Sequence, residues 1–517
     1  MITRKSLPLG LIVLLCISLL PISPSAAQTT ASPISDYPSF NCYRDASSLT
    51  AKIHYLAETY PYLSDLVEIG ESVGGRTIYA LELGNDLYID KPHFILLAGL
   101  HGNDFSQPEV ALTLAEMLLQ GYDTNADLQW IVDNIELDLI LLANPDGRQV
   151  AEGQAAIPFT EPNDVLSIHN SNGVDLESNF CVEHPESQGC DPNDYEPETQ
   201  AILTYLETKL GEPDPAQTPN ELSRDLFVYF SSHNNKLDAG PLAIGNIRIP
   251  WFYKPNPSEL SESTEPSLSW QNELAKMLKV LDPYLKGSIE PKINGAIFSD
   301  YPVDYVFRSY GTASLELSAY PIINNSPMDC TRFEENHPEY YLKVLLNMAK
   351  SAAQPYKIGY GPIVDELTKT GSTETELNYH AVIFEKNQIP DQPVRNPITS
   401  IHYYIDQPNG TETGELHGWV EIDTNPYTSA IDFDIPIGSL TPGKHILTLQ
   451  ACSQDEIDNP DGECGLPFSA YLIVPDPQNP DDPNPPDPDD PDPTETPDDP
   501  DPPGPGSNTI YLPLIGR

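Results

Sequence analysis

Up to Pro355, apolar positions fall into two kinds of stretch that take turns along the chain. Phe94–Leu100, Leu137–Ala143 and Leu226–Phe230 are continuous apolar runs of strand length, the mark of strands buried on both faces. Helix-period stretches lie between and around them. One spans Tyr43 to Tyr60, with Leu49, Ile53, Leu56 and Ala57 on one face. Another follows Phe105, with Val110, Leu114, Ala115 and Leu118 in a stripe. Its start carries Ser106 and Glu109 at capping-box spacing, with Pro108 in the first turn. Further helices are predicted over Glu196–Leu210, Ser267–Leu285 and Pro338–Ala353. Leu66–Gly70 and Arg76–Leu83 alternate as strands joined by a Gly74-Gly75 turn, and Thr312–Leu317 is a late strand. Asn144-Pro145-Asp146-Gly147 has the composition of a tight turn. The pattern predicts an α/β domain over residues 28–355, with a mixed, mostly parallel sheet flanked by helices. His101-Gly102-Asn103-Asp104 then stands where a buried strand hands over to a helix, the edge at which open α/β sheets bind ligands.

Past Pro355 the apolar runs become short and alternating, separated by Gly, Pro and Asn. Ala381–Phe384, Ile401–Ile405, Leu416–Ile422 and His445–Ala451 predict a small all-β sandwich of immunoglobulin-like size over residues 356–474. Residues 475–506 are Pro/Asp repeats, expected to form an extended, self-repelling, disordered linker. The tail, 507–517, turns apolar again at Ile510–Ile515. It resembles terminal tails that attach secreted proteins to a cell envelope, and a strand packing back on the sandwich is the other reading. Residues 28–38 are Ser/Thr/Pro-rich and expected to be disordered. Residues 1–27 read as a signal peptide: Arg4 and Lys5, the apolar Leu7–Leu20, then Ser25-Ala26-Ala27. Pro8 and Pro21 interrupt the apolar segment, and nothing later is apolar for long enough to span a bilayer. The expectation is a secreted, extracellular protein with no stable membrane span after cleavage, held at the envelope if the tail attaches.

The formal charge of −51 argues against nucleic acid and anionic membranes as partners. Of the seven cysteines, Cys16 lies in the signal segment, which leaves an even set of six, in keeping with export. Cys181 with Cys190 and Cys452 with Cys464 would close short loops, leaving Cys42 with Cys330.

A histidine and a carboxylate on one turn, as His101 and Asp104 are, reach a single zinc ion with bonds of about 2.0–2.2 Å. The phrases YPYLSDLVEIGESVGGRTIYALELG and KPHFILLAGLHGND, then NPDG, GVDLESNF and SLELS, occur in an order that resembles the zinc carboxypeptidase family over about Tyr37 to Ala353. The resemblance implies one zinc ion held by His101, Asp104 and, far downstream, His233. It implies Glu316 as general base and a catalytic tyrosine for which Tyr305 fits best, with Tyr301 and Tyr310 as rivals. It also implies a peptide or protein as substrate.

Three positions depart from the family pattern. Asp104 stands where the family has glutamate and is one methylene shorter. Glu177 and Ser178 stand where an asparagine and an arginine grip the substrate's terminal carboxylate. Finally, no Arg or Lys occurs between Arg148 and Lys209, where the family's carbonyl-polarising arginine belongs, so Arg308 and Arg248 are the candidates to replace it. Losing such a donor costs about a hundred- to a thousand-fold in rate. Three readings stay open: a secreted zinc metallopeptidase, a pseudo-peptidase that binds without efficient hydrolysis, and an amidase for substrates lacking a free terminal carboxylate.

Overall fold

Alternate side chains of the central strands enter two different cores, and that division sets the layers of the α/β domain. The computed structural model describes residues 30–31, 44–87, 89–155, 166–181, 191–214, 224–231, 245–248, 301–319, 338–356, 358, 361–373, 375–384, 398–406, 418–421, 430–455 and 459–475. Its elements begin with β1 (Thr30–Ala31), α1 (Ala46–Thr59), β2 (Ser64–Glu71), β3 (Thr77–Leu83), β4 (His93–Ala98), α2 (Ser106–Gly121), α3 (Ala126–Asn134) and β5 (Glu136–Ile140). They continue with α4 (Pro145–Ala155), α5 (Pro197–Leu210), β6 (Leu226–Ser231), β7 (Gly245–Arg248), α6 (Pro302–Tyr310), β8 (Ala313–Ala319) and α7 (Pro338–Ser351). The helix expected over Ser267–Leu285 lies outside the described residues.

One seven-stranded sheet runs in the order β2-β3-β5-β4-β6-β8-β7. Its central four strands are parallel and the strands outside them antiparallel. Phe94, Leu96 and Ala98 face one core with residues of α1, α2, α3 and α7. Ile95 and Leu97 face the other with residues of α5 and α6. Parallel pairing therefore brings the ends of β4, β6 and β8 to one edge, with Ala98 opposite Phe230 and Ser231 opposite Ser318.

Local chemistry departs from expectation at three places. The capping box of α2 does not close: Phe105 is the N-cap, with no side-chain hydrogen bond. Glu109 instead pairs with the Arg44 guanidinium and accepts from the Arg44 backbone N–H at 2.5 Å. A buried carboxylate gains more from a cation than from a neutral N–H. Asn144-Pro145-Asp146-Gly147 opens α4 rather than forming an isolated turn. Pro145 is its first residue, and Asn144 Oδ1 accepts the Gly147 N–H at 2.8 Å as a cap does. Thr30–Ala31, expected to be disordered, pairs with Leu367 and Thr368.

The opposite edge of the sheet is tied by charge. Lys209 Nζ of α5 lies 2.6 Å from Glu136, 2.8 Å from Glu82 and 3.1 Å from Asp138. The hydroxyl of Tyr205 lies 2.7 Å from Asp138, whose other oxygen is 2.7 Å from His93 Nδ1. Those contacts pin α5 across β3, β4 and β5.

The remaining strands are β9 (Ile363–Ser372), β10 (Glu376–Phe384), β11 (Ile398–Ile405), β12 (Gly418–Glu421), β13 (Ala430–Pro436), β14 (Gly443–Asp455), β15 (Asn459–Cys464) and β16 (Phe468–Val474). β1, β9, β10 and β13 form one antiparallel sheet, and β12, β11, β14, β15 and β16 a second. Their inward residues, among them Leu377, Ile401, Ile435, Leu447 and Leu472, share one core. Cys452 and Cys464 are joined across β14 and β15, as expected. The other two expected cysteine pairs include residues outside the described set, as do the segments read as signal, linker and tail. No helix among the described residues is long and apolar enough to cross a membrane.

Asp127, in the first turn of α3, joins the α/β domain to these strands. It pairs with Lys350 of α7 and accepts the Ser469 N–H at 3.0 Å, while Lys350 donates to Pro467 O at 3.1 Å. Lys350 is buried, so removing its carboxylate leaves a charge in a poorly solvated place. Asp127→Ala is expected to destabilise by about 3 kcal/mol, read as a drop of several degrees in thermal midpoint. An Asp127→Leu/Lys350→Met pair should recover most of that loss.

Candidate active site

The site is built at the strand edge from a loop that few sequences would tolerate. After β4 the chain turns at Gly99, which has φ 66°, a left-handed conformation that glycine adopts without strain. Gly102 then lies flat against the α4 loop, and a Cβ there would overlap the backbone of Gly147 and Ser167. Asn144 Nδ2 donates to Leu100 O at 3.1 Å, and Gly102 N donates to Ile168 O at 3.1 Å. Arg148, almost fully buried, donates to Asp104 O and to Arg44 O, both at 2.7 Å, and its guanidinium lies 4.0 Å from the Phe105 ring centre. The loop is thus clamped from both sides.

His101 and Asp104 are both buried on it. Asp104 Oδ2 accepts the His101 backbone N–H at 3.1 Å, so its carboxylate is folded toward the base of the histidine. His101 Nε2 lies 3.2 Å from Asp175 Oδ1 and 3.1 Å from Glu177 Oε2. Asp175 reaches this point because it caps the short 3-10 turn Leu176–Asn179, accepting the Glu177 N–H at 3.1 Å. Burial alone would lower the His101 pKa. Its hydrogen bonds to Asp175 and Glu177, with the field of Asp104, outweigh burial and hold it well above the ordinary histidine value. Burial raises Asp175 too, but the bond to His101 outweighs it and leaves the acid below its ordinary range. Glu177 is raised, by burial first and by the nearby Glu316 carboxylate, against the pull of His101.

Glu316 is buried on β8, between leucines that face the other core. It accepts from Ser231 Oγ at 2.7 Å, and the Ser231 carbonyl accepts from Gln107 Nε2 of α2 at 3.1 Å. Tyr229, directly opposite Glu316 on β6, is fully buried. Its hydroxyl has no hydrogen-bond partner among the described residues. Burial and the fields of Glu177, Asp104, Glu316 and Asp175 push its phenol well above the ordinary value. The hydroxyl therefore sits among four carboxylates.

Of the residues expected from sequence, His101, Asp104, Glu177 and Glu316 come to this region. Ser178 is exposed and donates its hydroxyl to Asp175 O at 2.9 Å within its own turn. Tyr305 is on α6, half-buried, packed edge-on against Phe180 and Tyr310 at 6.3 Å between ring centres. Tyr301 is the N-cap residue of α6, and Arg308 lies in its last turn. His233 lies outside the described residues. For Arg248 only the backbone is described, and it pairs directly opposite Glu316.

Asp175, Ser231 and Tyr229 had no assigned role in the sequence. A period of two on β6 does put Tyr229 and Ser231 on one face, so the signal was present for them. Asp175 shows itself only through the turn that it caps.

The donor set suits a zinc-type divalent ion. His101 stands among the carboxylates of Asp104, Asp175 and Glu177, so imidazole and carboxylate oxygens are both at hand for such an ion, and the ligand atoms of His101, Asp175 and Glu177 lie within 4.8 Å of one another. Two other groups of that kind fit less well. His402, Cys452 and Cys464 include a disulfide, and in the group of His93, Glu136 and Asp138 the two acids already hold the ammonium of Lys209.

Comparison with known proteins agrees with this chemistry. The sequence profile for zinc carboxypeptidases matches residues 49–237. Carboxypeptidase D of Anas platyrhynchos is 30% identical over 167 residues, which is 32% of this chain and 11% of that protein. The carboxypeptidase N catalytic chain of Homo sapiens is 26% identical over 178 residues, 31% of this chain and 38% of the relative. The matches thus span well under half of these relatives' length. Among solved structures, bovine thrombin-activatable fibrinolysis inhibitor in complex with tick carboxypeptidase inhibitor aligns with a TM-score of 0.43 and 14% identity, covering 60% of this chain and 97% of that one. Carboxypeptidase A from Helicoverpa armigera aligns with a TM-score of 0.43 and 18% identity, over 60% and 74% of the two chains. Residues 49–237, within the α/β domain, thus carry the likeness to zinc carboxypeptidases.

Gly102→Ala tests the clamped loop. Overpacking is expected to cost about 1–3 kcal/mol in stability. Because the loop carries His101, the variant should also hold zinc less tightly in a chelator competition.

Proposed function

We propose that the protein is a secreted zinc-dependent hydrolase of peptide or amide bonds. The observation that supports this most is the meeting of His101, with its carboxylate partners, and the buried, hydrogen-bonded Glu316 at one end of the parallel strands. His101, Asp104 and His233 are the residues that would hold one zinc ion. Zinc bound there would polarise the scissile carbonyl and lower the pKa of attacking water. Glu316 takes the proton from that water and passes it to the leaving amine, a role that requires hydrogen-bond reach of about 2.6–3.2 Å. Ser231 orients Glu316 by occupying one carboxylate oxygen. Tyr305, Arg308 and Arg248 are the side chains proposed to meet the substrate. Export rests on residues 1–27, and secreted protein should begin after Ala27.

His101→Ala is expected to abolish zinc uptake while circular dichroism stays unchanged, since the two cores do not depend on the ion. Glu316→Gln should lose about 10²–10⁴-fold in turnover yet retain one zinc per chain. Loss of zinc in that variant would make Glu316 a ligand and require another base.

Glu177 and Ser178 favour the amidase over a strict carboxypeptidase. An arginine fork binds a carboxylate through two charge-assisted bonds, whereas a buried glutamate offers that group no donor. One peptide assayed as free acid and as amide should show the amide relatively favoured. A Glu177→Asn/Ser178→Arg double variant should move the preference toward the free acid. Strong preference for the free acid in the unmodified protein, with no gain in the variant, rejects the amidase reading.

A further inference from the structure

Glu177 occupies a position whose counterpart in the family touches substrate, yet here its carboxylate faces the histidine. Its Oε2 lies 3.1 Å from His101 Nε2, next to Asp175 Oδ1 at 3.2 Å. Only 4% of Glu177 is exposed. Both acids come from one turn, because Asp175 caps it and accepts the Glu177 N–H. The turn is fixed in its own right: Asn170 Oδ1 accepts the Val174 N–H at 3.0 Å, and Asn170 Nδ2 donates to Glu196 at 2.8 Å.

We propose that Glu177 is a positioning residue that, with Asp175, forms a two-carboxylate clamp on His101 Nε2 and reserves Nδ1 for the metal. The proposal rests on the zinc reading above. A ligating imidazole that donates its second N–H to a carboxylate has its tautomer and ring orientation fixed and its basicity raised. Here the single N–H is shared between two acceptors, one on each residue. The clamp answers the other change in the site. Asp104 is one methylene shorter than the family's glutamate, and its Oδ2 is already drawn to the His101 backbone N–H at 3.1 Å. A short ligand tolerates less error in the position of its neighbour, and a second carboxylate on the far side of the ring removes its freedom to rotate. It follows that Glu177 acts on the metal through His101 rather than by reading the end of a substrate.

The test measures zinc affinity of the purified full chain by chelator competition, together with zinc stoichiometry and the visible spectrum after cobalt replacement. Unmodified protein is compared with Glu177→Gln, Asp175→Asn and the pair, with Glu177→Asn as the second form should the glutamine variant not fold. Glu177→Gln is expected to keep one zinc per chain, bind it about 10–100-fold more weakly and shift the cobalt spectrum. The two single losses should combine to less than their product, because both act on one N–H. Unchanged affinity and spectrum in a folded Glu177→Gln would overturn the clamp and leave the zinc reading standing. Complete loss of zinc would overturn it as well, making Glu177 a ligand. Unmodified protein that takes up no zinc overturns the metallopeptidase reading first, and the clamp with it.

Discussion

The close approach of two backbones at the strand edge is the constraint on which the site depends. The His101–Asp104 loop and the start of α4 touch with no room for a side chain at Gly102. Around that contact, Asn144 bonds to both segments and Arg148 carries the carbonyl of Asp104. The guanidinium of Arg148 is buried, and such a charge is costly unless each N–H finds an acceptor. Its acceptors lie on Asp104, Arg44 and Glu152, so the same requirement that keeps Arg148 satisfied also ties α1's approach, α4 and the site loop together. The position of His101 is therefore set by backbone packing before any ion is considered.

Much of this was visible in the sequence because burial repeats with a period. Phe94, Leu96 and Ala98 alternate with Ile95 and Leu97 between two cores, and the run was legible as a strand. Capping chemistry was less legible, because it competes with partners distant in sequence. Glu109 has the right spacing to cap α2, yet Arg44 lies 65 positions away and takes it. In the site, His101 and Glu316 follow from motif and order. The approach of Asp175 and Glu177 to His101 depends on the 3-10 turn and on Asn170 beneath it, which no local pattern announces. Tyr229 was readable by strand alternation, but a tyrosine in an apolar run looks like packing until its hydroxyl is found among carboxylates.

The domain concentrates buried charge at both ends of its parallel strands, with different outcomes. At the start of β4 and β5, the acids Glu136 and Asp138 meet Lys209 and His93, and the cluster is closed by its own cation. At the far end Asp104, Asp175, Glu177 and Glu316 gather around one imidazole and a phenol. Low dielectric makes the first cluster a strut and leaves the second with the charge that the proposed metal would balance.

The contact through Asp127 and Lys350 has a consequence for how the chain can be divided. Ile363, at the start of the sandwich's β9, and Leu466, just before its β16, belong to the same apolar core as α2 and α7. Gly361 and Gly465 meet there backbone to backbone. A cut near residue 355 would not release two finished halves. It would open the larger core to water on the side covered by those residues. The sandwich is in this sense the closing piece of the α/β fold, a cap over its larger core rather than a bead on a string.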